Sequence, residues 1–128
     1  MPQLSPRSKE RLYTCDEALV RVVERAIILV PKEYDFTVLC GHRGEAEQNA
    51  AFHEKRSKLR WPKSKHNSTP SLAVDIAPYP INWNDLQRFY AVATYMFKAA
   101  QIEKVEIRWG GQWTSFRDYP HWELVDNG

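Results

Sequence analysis

Between Lys9 and Val30 the apolar residues Leu12, Cys15, Leu19, Val22, Val23, Ala26, Ile27 and Val30 recur at steps of three and four. That period predicts an amphipathic helix, begun near Ser5-Pro6-Arg7-Ser8 and stopped by Pro31. Asp16 and Glu17 interrupt the stripe, so the segment reads either as one helix or as two short ones. Asp35-Phe36-Thr37-Val38-Leu39-Cys40 is rich in β-branched and aromatic residues and predicts a strand. It breaks at Gly41-His42-Arg43-Gly44, and Glu45 to His53 predicts a helix. Glu54 to Pro70 is a long polar connection, of the kind that is usually functional in a compact domain. Leu72-Ala73-Val74-Asp75-Ile76-Ala77 is a short apolar strand with one charge in it. Leu86 to Ala100 predicts a helix with Leu86, Phe89, Tyr90, Ala93, Met96, Phe97 and Ala100 on one stripe, capped by Asn82 or Asn84. Val105 to Trp109 alternates as a half-buried strand and ends at Gly110-Gly111. Gln112 to Arg117 is irregular. After Pro120, His121 to Val125 reads as a last strand with His121 and Glu123 on one face and Trp122 on the other. The order helix, strand, helix, strand, helix, strand, strand predicts an α+β fold, a small antiparallel sheet with helices packed on one side.

Composition narrows the classes. At 128 residues the chain is expected to form a single domain, 1–128, with an ordinary core. The longest apolar patch, Ala26-Ile27-Ile28-Leu29-Val30, falls far short of the ~18 residues of a membrane helix, so no membrane insertion is expected. Met1 to Arg7 lacks the apolar stretch of a signal peptide, which predicts a protein that stays in the cytoplasm after synthesis. The net charge is only +2. One basic cluster, Lys55, Arg56, Lys58, Arg60, Lys63 and Lys65, occurs without a stacking platform or reading helix, so nucleic acid is not an expected partner. Cys15 and Cys40 show no CxxC spacing and read as small core residues rather than a disulfide.

The candidate chemistry starts at Asp75. A buried carboxylate costs several kcal/mol unless it is paired or bound to a metal. Asp75 therefore either meets a partner, with His66 the nearest, or ends an edge strand in solvent. His121 and Asp118 lie far downstream. His66, Asp75 and His121 make a three-ligand zinc set that leaves a fourth position for water. Asp118 is then placed as the general base. Arg43, where a strand turns into a helix, can hold a carboxylate or polarise a carbonyl. Glu123 either orients His121 from behind or is a surface acid. His42 and His53 have no partner at ligand spacing and are read as structural.

Ser64-Lys65-His66-Asn67, Pro70-Ser71-Leu72-Ala73-Val74-Asp75, Gly41-His42-Arg43 with Gln48, Ala77-Pro78-Tyr79-Pro80-Ile81, Trp109-Gly110-Gly111-x-Trp113 and Asp118-x-x-His121-Trp122 together resemble the zinc peptidases of family M15. The D-alanyl-D-alanine carboxypeptidases belong to that family, and the chain is most similar to its branch of bacteriophage endolysins that act as L-alanyl-D-glutamate peptidases. The resemblance runs from about Leu12 to Val125. It implies His66, Asp75 and His121 as ligands of Zn2+, Asp118 as catalytic base and Arg43 as a catalytic residue that binds or polarises the substrate. Ser64 and Gln48 are implied as contacts to the substrate or to the residues behind it. Eight residues separate His66 from Asp75, a longer loop than many members have. The carboxypeptidase members carry glutamate where Asp118 stands.

By that resemblance the function is zinc-dependent endopeptidase cleavage of peptidoglycan stem peptides at the L-Ala-D-Glu bond, for host cell lysis. A monomer is expected, held in the host cytoplasm until a holin gives it access to the wall, with no separate cell-wall-binding domain. Two alternatives stand beside it. One is a D,D-carboxypeptidase or dipeptidase acting on D-Ala-D-Ala ends. The other is a catalytically silent, zinc-bearing module that binds cell wall without cutting it.

Overall fold

A computed structural model describes residues 2–125. The elements are α1 (Pro6–Leu12), α2 (Glu17–Leu29), β1 (Phe36–Cys40), α3 (Glu45–His53), β2 (Ala73–Pro78), α4 (Leu86–Glu103), β3 (Ile107–Trp109) and β4 (His121–Leu124). Single 3-10 turns lie at Lys32–Tyr34, Lys65–Asn67 and Gly110–Gln112. All four strands are antiparallel, in the order β1-β2-β4-β3.

Of the two readings of the first helical stretch, the broken one is found. Ser5 Oγ caps α1 by accepting from the Ser8 N–H at 3.1 Å. Asp16 caps α2 by accepting from the Ala18 N–H at 2.9 Å. A side-chain oxygen at each start satisfies a donor that the helix leaves without a partner. The expectation at α4 is corrected. Asp85 occupies the N-cap position and makes no side-chain capping bond. Asn82 instead accepts from the Asn84 N–H at 3.0 Å, closing the turn before the helix.

The core lies between the sheet and helices α1, α2 and α4. Val74, Ile76 and Trp122 are buried in it together with Leu12, Leu19, Val22, Val23 and Met96. Trp122 stacks on Trp109, with ring centroids 5.6 Å apart and planes at 14°, and meets the edge of Phe97 at 5.1 Å. Period-two alternation then forces Asp75 and His121, which lie opposite each other across β2 and β4, onto the other face. The same apolar burial that drives folding thus sets two ionisable groups side by side.

Cys40 is not the core residue its sequence context suggests. A bulge between Val38 and Cys40 moves the register by one, so that Val38 faces Ile76 but Cys40 faces Asp75. The inserted residue turns Cys40 away from the core, and it is half-buried in the cleft wall. Cys15 does pack in the core.

Candidate active site

His66 Nε2, Asp75 Oδ1 and His121 Nδ1 form a nearly equilateral triangle. The edges are 3.1 Å from His66 to Asp75, 3.3 Å from His121 to Asp75 and 3.3 Å between the two imidazoles. A tetrahedron with ~2.0 Å from centre to corner has edges of about 3.3 Å, so these three atoms have the spacing of one face of a zinc site. Two imidazoles and a carboxylate also suit that metal chemically. The fit extends behind these three residues. His66 Nδ1–H donates to the Gly41 carbonyl at 2.8 Å, and His121 Nε2–H donates to Glu123 Oε1 at 2.8 Å. Each bond fixes a tautomer and aims the other ring nitrogen at the common point.

Local sequence explains how each group arrives. Ser64 caps the turn Lys65–Asn67, its Oγ accepting from the His66 N–H at 3.2 Å. The Arg43 N–H donates to the His66 carbonyl at 2.8 Å, which ties the loop to the end of β1. Gly41 is required by close approach, since a Cβ there would sit 2.3 Å from both the Arg11 carbonyl and Thr14 Oγ1. The long loop before β2 is docked rather than free. The Ser71 N–H donates to the Thr14 carbonyl and the Asp16 N–H to the Ser71 carbonyl, at 2.9 and 2.8 Å.

Arg43 reaches both layers. One guanidinium nitrogen lies 3.3 Å from Asp75 Oδ2 and another donates to Gln48 Oε1 at 3.1 Å. Gln48 is fully buried, and its amide also meets Ser57, Leu59 and Asn67. It is therefore placed behind Arg43, away from the open cleft, while Ser64 lies in the cleft wall. Two contributors were not singled out from sequence. Asn67 Nδ2 donates to the Arg43 carbonyl and to Gln48, both at 3.1 Å. Lys65 Nζ lies 3.3 Å from Glu123 and donates to the Leu124 carbonyl at 2.6 Å. Only their adjacency to His66 could have pointed to them.

Asp118 lies in the wall of the same cleft, about 1060 Å³ in volume, which also contains all three triangle residues. Its backbone is held by Gly110, whose carbonyl accepts the Asp118 N–H at 3.0 Å. A Cβ on Gly110 would lie 2.2 Å from the Asp118 carbonyl. Gly110→Ala is thus expected to push Asp118 out of place and, with Asp118 read as the general base, to lower kcat by about tenfold or more at unchanged metal content, because a misplacement of ~1 Å can cost about 10²-fold. Steady-state kinetics beside metal analysis check this, and an unchanged kcat would contradict it.

The ionisable groups of the triangle shift one another strongly. Burial disfavours the charged form of His66, but the Asp75 carboxylate overrides it and raises the imidazole to about 10. His121 is raised as well, against its burial, by hydrogen bonds to Asp75 and Glu123. Burial pushes Asp75 upward, yet the two imidazoles hold it below the usual carboxylate range. Asp118 differs: burial, then the Asp75 charge, lift it to about 6. Cys15 is no substitute ligand, since burial pushes its thiol up to about 12. In the metal-free protein at neutral pH His66 thus carries a proton that an incoming cation must expel. Zinc titration near pH 7 is expected to release about one proton or more per ion, with affinity rising as pH rises. Calorimetry in buffers of different ionisation enthalpy measures this. Heats independent of the buffer would contradict it.

A family model described as phage L-alanyl-D-glutamate peptidase matches residues 1–127. The chain is 36% identical over 116 residues to the L-alanyl-D-glutamate peptidase of Escherichia phage T5, covering 88% of this chain and 82% of that one. It is 29% identical over 109 residues to the peptidoglycan L-alanyl-D-glutamate endopeptidase CwlK of Bacillus subtilis (strain 168), covering 75% of this chain and 64% of CwlK. The crystal structure of the Serratia marcescens L-Ala D-Glu endopeptidase ChiX superposes with a TM-score of 0.79 at 29% identity, over 96% of this chain and 90% of ChiX. With a match along nearly its whole length, and with two strands and a turn that bring two imidazoles and a carboxylate to one point, the chain belongs to the phage L-alanyl-D-glutamate peptidase family.

Proposed function

We propose that this protein is a zinc peptidase that cuts the L-Ala-D-Glu bond of peptidoglycan stem peptides. The observation that carries the reading is the triangle of His66, Asp75 and His121 in the wall of a cleft that also contains Asp118. His66, Asp75 and His121 would hold the metal. Zinc bound there supplies a Lewis acid for the peptide carbonyl and lowers the pKa of water to roughly 7.

The remaining work falls to side chains of this chain. Asp118, as carboxylate, accepts a proton from the attacking water and delivers it to the nitrogen of the departing D-Glu. Arg43 keeps Asp75 in place with one edge of its guanidinium, and its remaining N–H donors polarise the scissile carbonyl and stabilise the developing oxyanion. Gln48 and Asn67 brace Arg43, and Lys65 braces Glu123 behind His121. Basic side chains from the connection after α3, among them Arg56, Lys58 and Lys63, line the cleft and suit the carboxylates of D-Glu and the residues beyond it.

Among the described residues no helix is long and apolar enough to cross a membrane. A monomer is proposed to accumulate in the host cytoplasm and to meet the wall once a holin opens the way. Mass spectrometry of digested peptidoglycan tests the reading. Stem peptides with a new D-Glu amino terminus are expected, and a chelator should abolish them. Loss of terminal D-alanine instead would contradict the assignment of the bond.

A further inference from the structure

Large apolar side chains gather on the surface between Tyr79 and Tyr90, with Tyr79, Ile81, Trp83, Leu86 and Tyr90 all exposed. Only Trp83 among these five lines the catalytic cleft. The residue is 55% exposed, although its ring stacks on Phe89, with ring centroids 5.8 Å apart and planes at 22°. Phe89 is buried and leans in turn on Tyr119 at 6.2 Å, the residue after Asp118. The segment that carries Trp83 is fastened at both sides. Arg88 donates to the Pro80 and Tyr79 carbonyls at 2.7 and 2.8 Å, and Asn82 closes the turn to Asn84 and Asp85. A flat ring is thus backed by buried Phe89 and left half-exposed in the wall of the cleft.

Substrate chemistry says what must arrive there. In peptidoglycan the L-Ala of each stem is amide-linked to the lactyl group of an N-acetylated amino sugar. A cut between L-Ala and D-Glu therefore takes place roughly 7 Å from a sugar ring, about two residue-lengths of chain. The glycan must come to rest on the rim of any cleft that makes this cut. A pyranose presents an apolar face of C–H bonds with polar edges, and the negative face of an indole suits it.

The cleft wall carries both kinds of surface that such a substrate needs. Along β2, Ala73 lies opposite Glu123, which Lys65 holds, and Asp75 lies opposite His121 in the middle. The basic segment enters before Ala73, and the Trp83 segment leaves after Pro78. Basic side chains suited to the acidic peptide and an aromatic surface suited to the uncharged ring face of the sugar thus line one and the same cleft.

We propose that Trp83 is a glycan-binding platform, on which the amino sugar that bears the stem peptide stacks while the peptide lies across the metal site. The assignment deepens the peptidase reading and rests on it for the substrate. It is tested without turnover by calorimetry, using a soluble tetrasaccharide of alternating N-acetylglucosamine and N-acetylmuramic acid that carries no peptide. The wild type is expected to bind it, Trp83→Ala to bind at least tenfold more weakly, and Trp83→Phe to fall between them. Unfolding curves confirm that each variant is folded before it is scored. In parallel, the ratio of kcat/KM on glycan-linked stems to that on the free tetrapeptide should fall at least tenfold in Trp83→Ala. Equal binding by wild type and Trp83→Ala, or an unchanged ratio, would overturn the proposal. If the wild type cut neither substrate, the peptidase reading would fail, and the tetrasaccharide titration would still decide whether Trp83 binds glycan.

Discussion

Asp118→Asn is expected to lower kcat by at least about a hundredfold while the protein still binds one zinc ion, since positioned general bases contribute roughly 10²–10⁴-fold. The substitution keeps the shape of the side chain and removes its capacity to take a proton. Asp118 is none of the three triangle residues, so metal content should not change. Its elevation to about 6 adds a second, independent signature. In the metal-free fold Asp118 holds its proton more tightly than an ordinary carboxylate does. Folded protein therefore loses stability as pH climbs from about 4 to 6 and carries the full cost at neutral pH, on the order of 1–3 kcal/mol. Metal-free Asp118→Asn should accordingly be as stable as the wild type or more so at pH 7. A residue that costs stability and supplies turnover is the expected profile of a catalytic group. In the loaded enzyme the cation draws the carboxyl down, so the acid limb of the activity profile should fall below 6 and vanish in the variant. Full activity of Asp118→Asn would end this role for the residue.

His66→Ala is expected to abolish both zinc binding and turnover, because only two of the three proposed ligands remain. It should also weaken the metal-free fold by about 3–5 kcal/mol, the usual cost of removing one member of a buried ion pair. The pH dependence of that loss follows from the directions of the shifts. The raised pKa of His66 stabilises the fold fully below 6.5 and ceases to do so as pH rises through about 10. The lowered pKa of Asp75 stabilises the fold above 3.8 and ceases to do so in acid. The gap between wild type and His66→Ala should thus be widest between about pH 4 and 6.5 and shrink on either side. Denaturant titrations of metal-free protein at several pH values measure it. A gap independent of pH would mean that the imidazole and the carboxylate are not paired.

Much of the site could be read from residue order because strand geometry has a period of two. Val74 and Ile76 need the core, so Asp75 has to leave it, and the same holds for His121 and Glu123 around Trp122. The break between α1 and α2 was visible as Asp16 and Glu17 in an otherwise apolar stripe. Cys40 lies off the core because of a bulge, which leaves no mark on the alternation although it changes which side Cys40 faces. The capping bond expected from Asn82 or Asn84 is absent because both asparagines suit a turn as well as a cap, and the turn takes them.

What the order of residues does not carry is the bracing. Gln48 is a helix residue whose fully buried amide meets Arg43, Ser57, Leu59 and Asn67, and no local rule brings those four together. Ser71 lies in the stretch that lengthens the ligand loop, and its backbone pairs with Thr14 and Asp16 more than fifty positions earlier. Such long-range polar bonds follow from the packed fold, which leaves each buried donor or acceptor few places to go. Trp83 is a further case. Its exposure becomes meaningful only when the cleft beside it is known.

A zinc-edge anomalous difference map from crystals of the zinc-loaded protein addresses the metal site itself. One strong peak is expected about 2.0–2.2 Å from His66 Nε2, Asp75 Oδ1 and His121 Nδ1 together. A peak elsewhere in the molecule, or none at that common point at full zinc occupancy, would contradict the account.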